Sequence, residues 1–256
     1  MIMESLTHYP LLLFLAVFVA QWLASVVGSW LRRRNPGTGD EPNEDLNIIL
    51  GATLTLLALI IGFSVSMASS RYDQRKSLEE AEANAIGTEM LRAELLPSAD
   101  AADVRRLLGA YLDQRILFYI NRDGPRQMEI DQSTRQLQAD LWAAVRGPTA
   151  AEPTPVAALV LAGMNDVINS QGYTQAAFWN RIPRAVWWLM GAVALCSNML
   201  FGYRARNDVV TRRIALVLPF IVSIAFLLIA DIDAPRKGLI HVSPQNLESL
   251  AKSLGR

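Results

Sequence analysis

Four long runs of apolar residues alternate with polar segments along the chain. They cover about residues 9–31, 46–70, 185–203 and 214–230, and none of them contains a charged side chain. A helix needs roughly 20 apolar residues, with a range of about 17–25, to cross the hydrocarbon core of a bilayer. The pattern therefore predicts four transmembrane helices. The first run exceeds the apolar core of a signal peptide and has no Lys or Arg before it, so we interpret it as a retained anchor.

The region between the second and third runs has the charge density of a soluble protein and the apolar spacing of helices. Its first helix continues the second run and ends at Pro97. Later helices are predicted at about 98–121, 126–146 and 156–170, with the Pro-rich stretch 147–155 as a connector. The apolar face of the helix at 98–121 is formed by Val104, Leu107, Leu108, Tyr111 and Leu112.

These patterns predict an all-α membrane protein with four transmembrane helices and a helical extramembrane domain inserted between spans two and three. The predicted parts are residues 1–70 with spans one and two, 71–184 as the extramembrane domain, 185–232 with spans three and four, and the tail 233–256. The tail carries a short amphipathic helix that begins near Ser243 and Pro244.

The composition and the motifs of the chain argue against several classes of function. Lys plus Arg and Asp plus Glu are both 24, so no basic field indicates a nucleic-acid partner. A lone cysteine, Cys196, excludes an internal disulfide, and the two histidines, His8 and His241, lie near opposite ends of the chain. No phosphate loop, nucleophile elbow or catalytic dyad is present. We therefore expect no enzyme activity, no catalytic residue, no cofactor and no bound metal.

One face of the second span consists entirely of small or hydroxyl residues. Such a face allows close approach between membrane helices, and it can equally line a narrow pore in which hydroxyls replace part of an ion's hydration. Both interpretations stay open, and a homo-oligomer in the lipid bilayer, which we expect, can use both. The residues recur at steps of three and four: Gly51, Thr55, Ala58, Gly62, Ser66 and Ser69.

Two acids close the fourth span on the membrane side where two arginines close the second. Acids at such a position are costly and indicate a partner or a role. One interpretation is an interfacial ion pair between Asp231 or Asp233 and Arg71 or Arg75. The other is an acidic ring on a cation pathway.

Other polar residues are expected to have structural roles. Asn198 and Ser223 lie within spans and are predicted to form interhelical hydrogen bonds. Acidic residues crowd the first helix of the extramembrane domain without any histidine, so they are predicted to form a solvated face rather than a di-metal site. These acids are Glu79, Glu80, Glu82, Glu89 and Glu94.

The arginine distribution predicts an orientation. The loops 32–45 and 204–213 share one side of the membrane and hold seven arginines, whereas the segment before span one has none. The positive-inside rule places these loops in the cytoplasm and the domain 71–184 outside the membrane. The arginines are Arg32, Arg33, Arg34, Arg204, Arg206, Arg212 and Arg213.

Two segments resemble a known family. The stretches RYDQRKSLEEAEANAIGTEMLRAELLP (71–97) and DIDAPRKGLIHVSPQNLESL (231–250), with RIPR at 181–184, are similar to the bestrophin-like domain of unknown function found in bacterial membrane proteins. The resemblance implies a four-span helical protein of the bacterial inner membrane, distantly similar to the bestrophin anion channels. The bestrophins keep their termini in the cytosol, which is opposite to the arginine prediction. Their Ca²⁺-binding acidic cluster and aromatic-rich pore neck are not found in this chain.

Two hypotheses of function follow. The first is an oligomeric channel or channel-like pore for a small ion whose identity the sequence does not specify. The second is a non-conducting membrane scaffold or sensor whose helical domain binds a partner or responds to envelope stress.

Overall fold

A computed structural model describes residues 10–34, 44–122, 124–204, 216–236 and 238–255. These residues form helices joined by short turns, and no strand occurs among them. The helices are α1 (Pro10–Arg34), α2 (Glu44–Arg92), α3 (Ser98–Ile120), α4 (Gly124–Ala151), α5 (Pro155–Trp179), α6 (Arg184–Arg204), α7 (Val217–Asp233) and α8 (Gln245–Ser253), with a 3₁₀ turn at Ala93–Leu95.

The chain divides into two compact units, and α2 contributes residues to both. Unit 1 comprises residues 1–70 and 181–240. In it, α1 packs along α6 and α7. Its apolar core joins side chains from these helices to the first part of α2, including Leu57 and Ala68.

Unit 2 comprises residues 71–180 and 241–256. In it, α3 packs on α4 and α8, and α4 packs on α5. All five apolar residues predicted for the α3 face are buried in its core, which confirms the helical spacing read from the sequence: Val104, Leu107, Leu108, Tyr111 and Leu112.

Three stretches of the described residues are long and apolar enough to cross a membrane: Leu11–Arg34, Glu44–Leu95 and Pro155–Arg204. The fourth predicted span corresponds to α7, which has 17 residues. Residues 205–215, where that predicted span begins, lie outside the described part of the chain. The count of four spans therefore stays a prediction.

The predicted connector at 147–155 is wrong over its first half, because α4 continues through Pro148 to Ala151. A proline inside a helix costs about 3 kcal/mol. Here Val145 and Thr149 are buried on either side of Pro148. The Thr149 hydroxyl also donates to the Val145 carbonyl oxygen at 2.7 Å, so core contacts and this hydrogen bond offset the cost. Helix α5 likewise runs beyond the predicted end near residue 170, since Thr174 and Phe178 continue its buried face.

Candidate pore face and its supporting contacts

The small-residue face of α2 is exposed along its whole length in the single chain. A Cβ atom placed on Gly51 or Gly62 would meet no atom within 4 Å. The Thr55 hydroxyl donates to the Gly51 carbonyl oxygen at 2.9 Å, so its oxygen can still accept a hydrogen bond from outside the helix. We call this surface the small face; its members are Gly51, Thr55, Ala58, Gly62, Ser66 and Ser69, all exposed.

The opposite edge of the same helix is buried in unit 1. Leu57 is 2% exposed, Ser64 is 1% exposed and Ala68 is fully buried. The Ser64 hydroxyl donates to the Ile60 carbonyl oxygen at 2.8 Å, which satisfies its donor within the helix. The first part of α2 thus turns one edge to the core of its own chain and leaves the small face uncovered.

Two glycines allow α1 and α6 to touch backbone to backbone. A Cβ on Gly28 would lie 2.0 Å from the Met199 carbonyl oxygen, and one on Gly202 would lie 2.0 Å from the Ser25 carbonyl oxygen. The Ser29 hydroxyl lies 3.0 Å from the Gly202 carbonyl oxygen and donates to it. Any larger side chain at either glycine would push the two helices apart.

A chain of neutral polar groups joins α1, α6 and α7 near this crossing. The Asn198 side-chain amide donates to Gln21 Oε1 at 2.8 Å, and the Gln21 amide reaches Ser223 Oγ at 3.5 Å. All three side chains are almost completely buried. The prediction that Asn198 and Ser223 form interhelical hydrogen bonds is confirmed.

The two acids in the last turn of α7 hold backbone amides of unit 1. Asp231 accepts from the Leu239 amide at 2.7 Å and from the Ile240 amide at 2.8 Å. Asp233 accepts from the Ile182 amide at 3.1 Å, just before α6 begins. Both carboxylates are about 95% buried.

The arginines predicted to pair with these acids lie in unit 2. The buried Arg75 side chain donates to the carbonyl oxygens of Ala177 and Asn180, each at 3.2 Å, at the end of α5. The predicted ion pair with Arg71 or Arg75 stays a prediction.

The predicted solvated acidic face is wrong for three of its five members. Glu79, Glu82 and Glu89 are each at most 1% exposed, whereas Glu80 and Glu94 are exposed. Each buried acid faces a partner that lies far away in the sequence or one turn along the helix. Among the described residues, no group of three or more His, Cys, Asp or Glu side chains is arranged to hold a metal ion.

Glu82 lies at the centre of a buried network in unit 2. The Arg115 guanidinium donates to both Glu82 oxygens, and the Tyr119 and Thr174 hydroxyls donate to Oε2 at 3.4 and 3.3 Å. The guanidinium carbon also lies 4.3 Å from the centre of the Phe118 ring, a cation–π geometry. Burial, together with the nearby Glu82 charge, raises the pKa of Tyr119, so its hydroxyl stays a donor at all physiological pH values.

Glu79 binds the start of the C-terminal helix α8. Its Oε1 accepts from the Asn246 and Leu247 amides at 2.9 and 3.0 Å, and its Oε2 accepts from the Asn246 side chain at 2.6 Å. A carboxylate at a helix N-terminus satisfies amides that lack a partner within the helix. The tail helix is therefore attached to unit 2 by a charge as well as by the buried Leu247.

Glu89 is buried without a hydrogen bond to either carboxylate oxygen. Its closest charged neighbour is Arg92, with Oε2 and Nη1 3.9 Å apart, and Arg92 is also 3.9 Å from Asp166 on α5. A Cβ on Gly163 would lie 1.9 Å from Glu89 Oε2, so only glycine leaves room for the carboxyl group. Burial raises the pKa of Glu89 to about 8, against the attraction of Arg92.

Comparisons with known proteins agree with this architecture. The chain matches the family model described as the bestrophin-like domain over residues 7–247. No curated protein matches it. Several solved structures do, among them a bacterial bestrophin homolog from Klebsiella pneumoniae solved by Zn-SAD phasing, at TM-score 0.68 and 13% identity over 94% of this chain and 96% of that one. A point-mutated form of the Klebsiella pneumoniae homolog matches at TM-score 0.69 and 12% identity over 94% and 97%. Because the family model covers most of its length, this chain belongs to the bestrophin-like family.

Proposed function

We propose that copies of this chain assemble in the membrane as a channel-like pore and that the small face of α2 lines the conduit. The observation that carries the proposal is the exposure of this face, with open space over Gly51 and Gly62, while Leu57, Ser64 and Ala68 are buried on the opposite edge. A helix with this asymmetry packs one edge against its own chain and offers the other edge to a pore or to a helix of another copy.

Lipid is a poor occupant for the small face. Glycine, alanine and serine present little side-chain surface to acyl chains, whereas the exposed Leu59 and Phe63 on the same helix present much more. A pore or a second helix gains from small residues because backbone and hydroxyl groups come close to the axis. The hydroxyls of Thr55, Ser66 and Ser69 supply the polar groups that a permeating ion needs.

The remaining helices of unit 1 are suited to supporting α2. Helix α1 crosses α6 at Gly28 and Gly202 with direct backbone contact, and the Gln21–Asn198–Ser223 contacts join α1, α6 and α7. Such a bundle holds the buried edge of α2 through Leu57 and Ala68. The small face is left for partner copies.

Family membership supports the same class of function. The chain belongs to the bestrophin-like family, and the resemblance of this family to the bestrophin anion channels supports a channel-like function. The small face carries no charged residue, so this face gives no preference for anions or cations. The proposal therefore includes neither chloride selectivity nor Ca²⁺ gating.

The experiment is electrical recording of purified protein in planar bilayers, with oligomer mass measured on the same preparation. We expect wild-type protein to be oligomeric and to conduct. Gly62→Leu should occlude the conduit or split the oligomer, because the new side chain projects from the small face. Gly191→Leu is the matched control, since Gly191 on α6 also has open space around its Cβ position but lies outside this face. Intact oligomers without current would contradict the pore and favour the scaffold or sensor hypothesis.

The side of the membrane on which unit 2 lies can be measured separately. The loop arginines predict that it is outside, and the likeness to bestrophins implies the cytosol. A cysteine at Met128, which is 69% exposed on α4, can be labelled in a Cys196→Ser background with a membrane-impermeant maleimide. Labelling in cells with a permeabilised outer membrane and an intact inner membrane would confirm the arginine prediction; labelling only after lysis would contradict it.

A further inference from the structure

The segment after α7 folds back against the helix it has just left. Asp231 lies two residues before the end of α7, which is about 3 Å back from that end along the helix axis. Its two carboxylate oxygens accept the amides of Leu239 and Ile240 at 2.7 and 2.8 Å. The backbone at residues 239–240 is therefore held at the level of the last turn of α7 rather than beyond it.

Gly238 makes this return possible. A Cβ at this position would lie 2.3 Å from the Asp231 carbonyl oxygen and 3.1 Å from its Oδ1. No side chain fits between the loop and the helix. Asp231 and Gly238 together hold the chain in this turn toward the helix, and we call residues 234–236 and 238–240 the return loop.

The return loop presents apolar side chains outward. Leu239 is 89% exposed and Ile240 is 38% exposed, whereas Asp231, Asp233 and Ala234 at the end of α7 are buried. Apolar side chains exposed beside the end of a membrane helix are suited to insert at the boundary between head groups and acyl chains.

The predicted membrane boundary of unit 1 lies at the same level. Asp233 at the end of α7 accepts the Ile182 amide, so the start of α6 is beside the end of α7. Trp188, in the second turn of α6, is 67% exposed, and exposed tryptophans near span ends mark the interfacial layer. Helix α7 packs along α1, which is long and apolar enough to span.

We propose that the return loop is a lipid-binding element, whose Leu239 and Ile240 insert at the boundary between head groups and acyl chains. Asp231 and Gly238 set the depth, because they fix the loop beside the last turn of α7. The loop then anchors the end of α7 at the surface of the bilayer. This role does not depend on whether the protein conducts ions.

The test is the environment of a nitroxide spin label at residue 239. Leu239→Cys in a Cys196→Ser background is labelled and reconstituted into vesicles of phosphatidylcholine and phosphatidylglycerol. The control is Leu91→Cys, because Leu91 is 68% exposed in unit 2, the region whose charge density is that of a soluble protein. We expect collisions with oxygen to dominate at residue 239 and collisions with a water-soluble nickel chelate to dominate at residue 91.

Two results would overturn the proposal. Dominant nickel collisions at residue 239, as at residue 91, would place the loop in water. Low collision rates with both reagents would place Leu239 in a protein interface, such as one with a second copy. Gly238→Ala on the same labelled protein should lower the rate of oxygen collisions, since the added methyl group displaces the loop. An unchanged collision rate would show that Gly238 does not set the position of the loop.

Discussion

Among the described residues, the buried polar side chains of unit 1 are mostly amides and hydroxyls, whereas those of unit 2 include carboxylates and guanidinium groups. Gln21, Asn198 and Ser223 form hydrogen bonds with one another inside unit 1, and among the described residues buried acids occur there only in the last turn of α7. Unit 2 buries Glu82 against Arg115 in its core. The two units therefore meet the cost of burying polar groups in different ways.

The difference agrees with the predicted placement of unit 1 in the membrane and of unit 2 outside it. A charged group in the hydrocarbon layer has no water to complete its hydrogen bonds. Membrane helices are therefore stabilised by hydrogen bonds between neutral groups and by close backbone contacts. Outside the membrane a buried charge is tolerated when it has an opposite charge and several hydrogen-bond donors. Glu82, with one guanidinium and two hydroxyl donors, meets that condition.

The largest effect is expected in unit 2. Arg115→Leu should lower the free energy of unfolding by about 3–5 kcal/mol, because it leaves the Glu82 carboxylate buried without its charged partner. Denaturant unfolding of the detergent-solubilised protein measures the loss. Arg105→Leu is the control, since Arg105 and Glu94 pair at 3.0 Å with both side chains about half exposed. That variant should cost about 1 kcal/mol or less, and equal losses in the two variants would contradict the comparison.

Glu89 should give unit 2 a pH-dependent stability. Its pKa rises from the ordinary value of 4.5 to about 8 in the fold, so between these pH values the folded chain holds a proton that the unfolded chain releases. Stability from this group is therefore complete below pH 4.5 and falls by up to about 1.4 kcal/mol per pH unit as pH rises toward 8. The charged groups that face it are Arg92 on its own helix and Asp166 on α5.

The variant that checks this dependence is Glu89→Gln, which keeps the shape and cannot ionise. Melting temperatures measured from pH 5 to pH 8 should fall for wild-type protein and should fall less for the variant. Parallel curves for the two proteins would show that Glu89 is ionised throughout and that its burial has another explanation.

A smaller effect is expected at the helix crossing of unit 1. Gly202→Ala should destabilise the protein by about 1–3 kcal/mol, because the methyl group would lie 2.0 Å from the Ser25 carbonyl oxygen and the helices must separate. Gly191→Ala on the same helix meets no atom within 4 Å and should be neutral or slightly stabilising. Equal melting temperatures for the two variants would count against a rigid crossing.

Periodicity predicted the helices and their apolar faces well. Val104, Leu108 and Leu112 repeat every four residues, and that spacing alone identifies a buried stripe. The rule for proline failed at Pro148, where the local cost is outweighed by Val145 and Thr149 in the core. Local signals give way where long-range packing favours the helix.

Residue type alone predicted the buried acids wrongly. Glu82 and Glu80 look equivalent in the sequence, and only the position of Arg115, 33 residues later, makes one of them a core residue. A signal was available, because Glu82, Ile86 and Glu89 lie on the same helical face as the apolar core positions. The small face, by contrast, was visible from its spacing, but the helical period of one chain carries no information on what covers that face.

The most direct test of the central claim compares two serines on opposite edges of α2. Ser66 lies on the exposed small face, and Ser64 is 1% exposed on the buried edge. Ser66→Cys and Ser64→Cys, each in a Cys196→Ser background, are recorded in planar bilayers while a charged methanethiosulfonate reagent is added. The pore proposal predicts that the reagent changes the current through Ser66→Cys and leaves that through Ser64→Cys unchanged. An unchanged current in Ser66→Cys, with channels that conduct like wild type, would contradict the placement of the small face along the conduit.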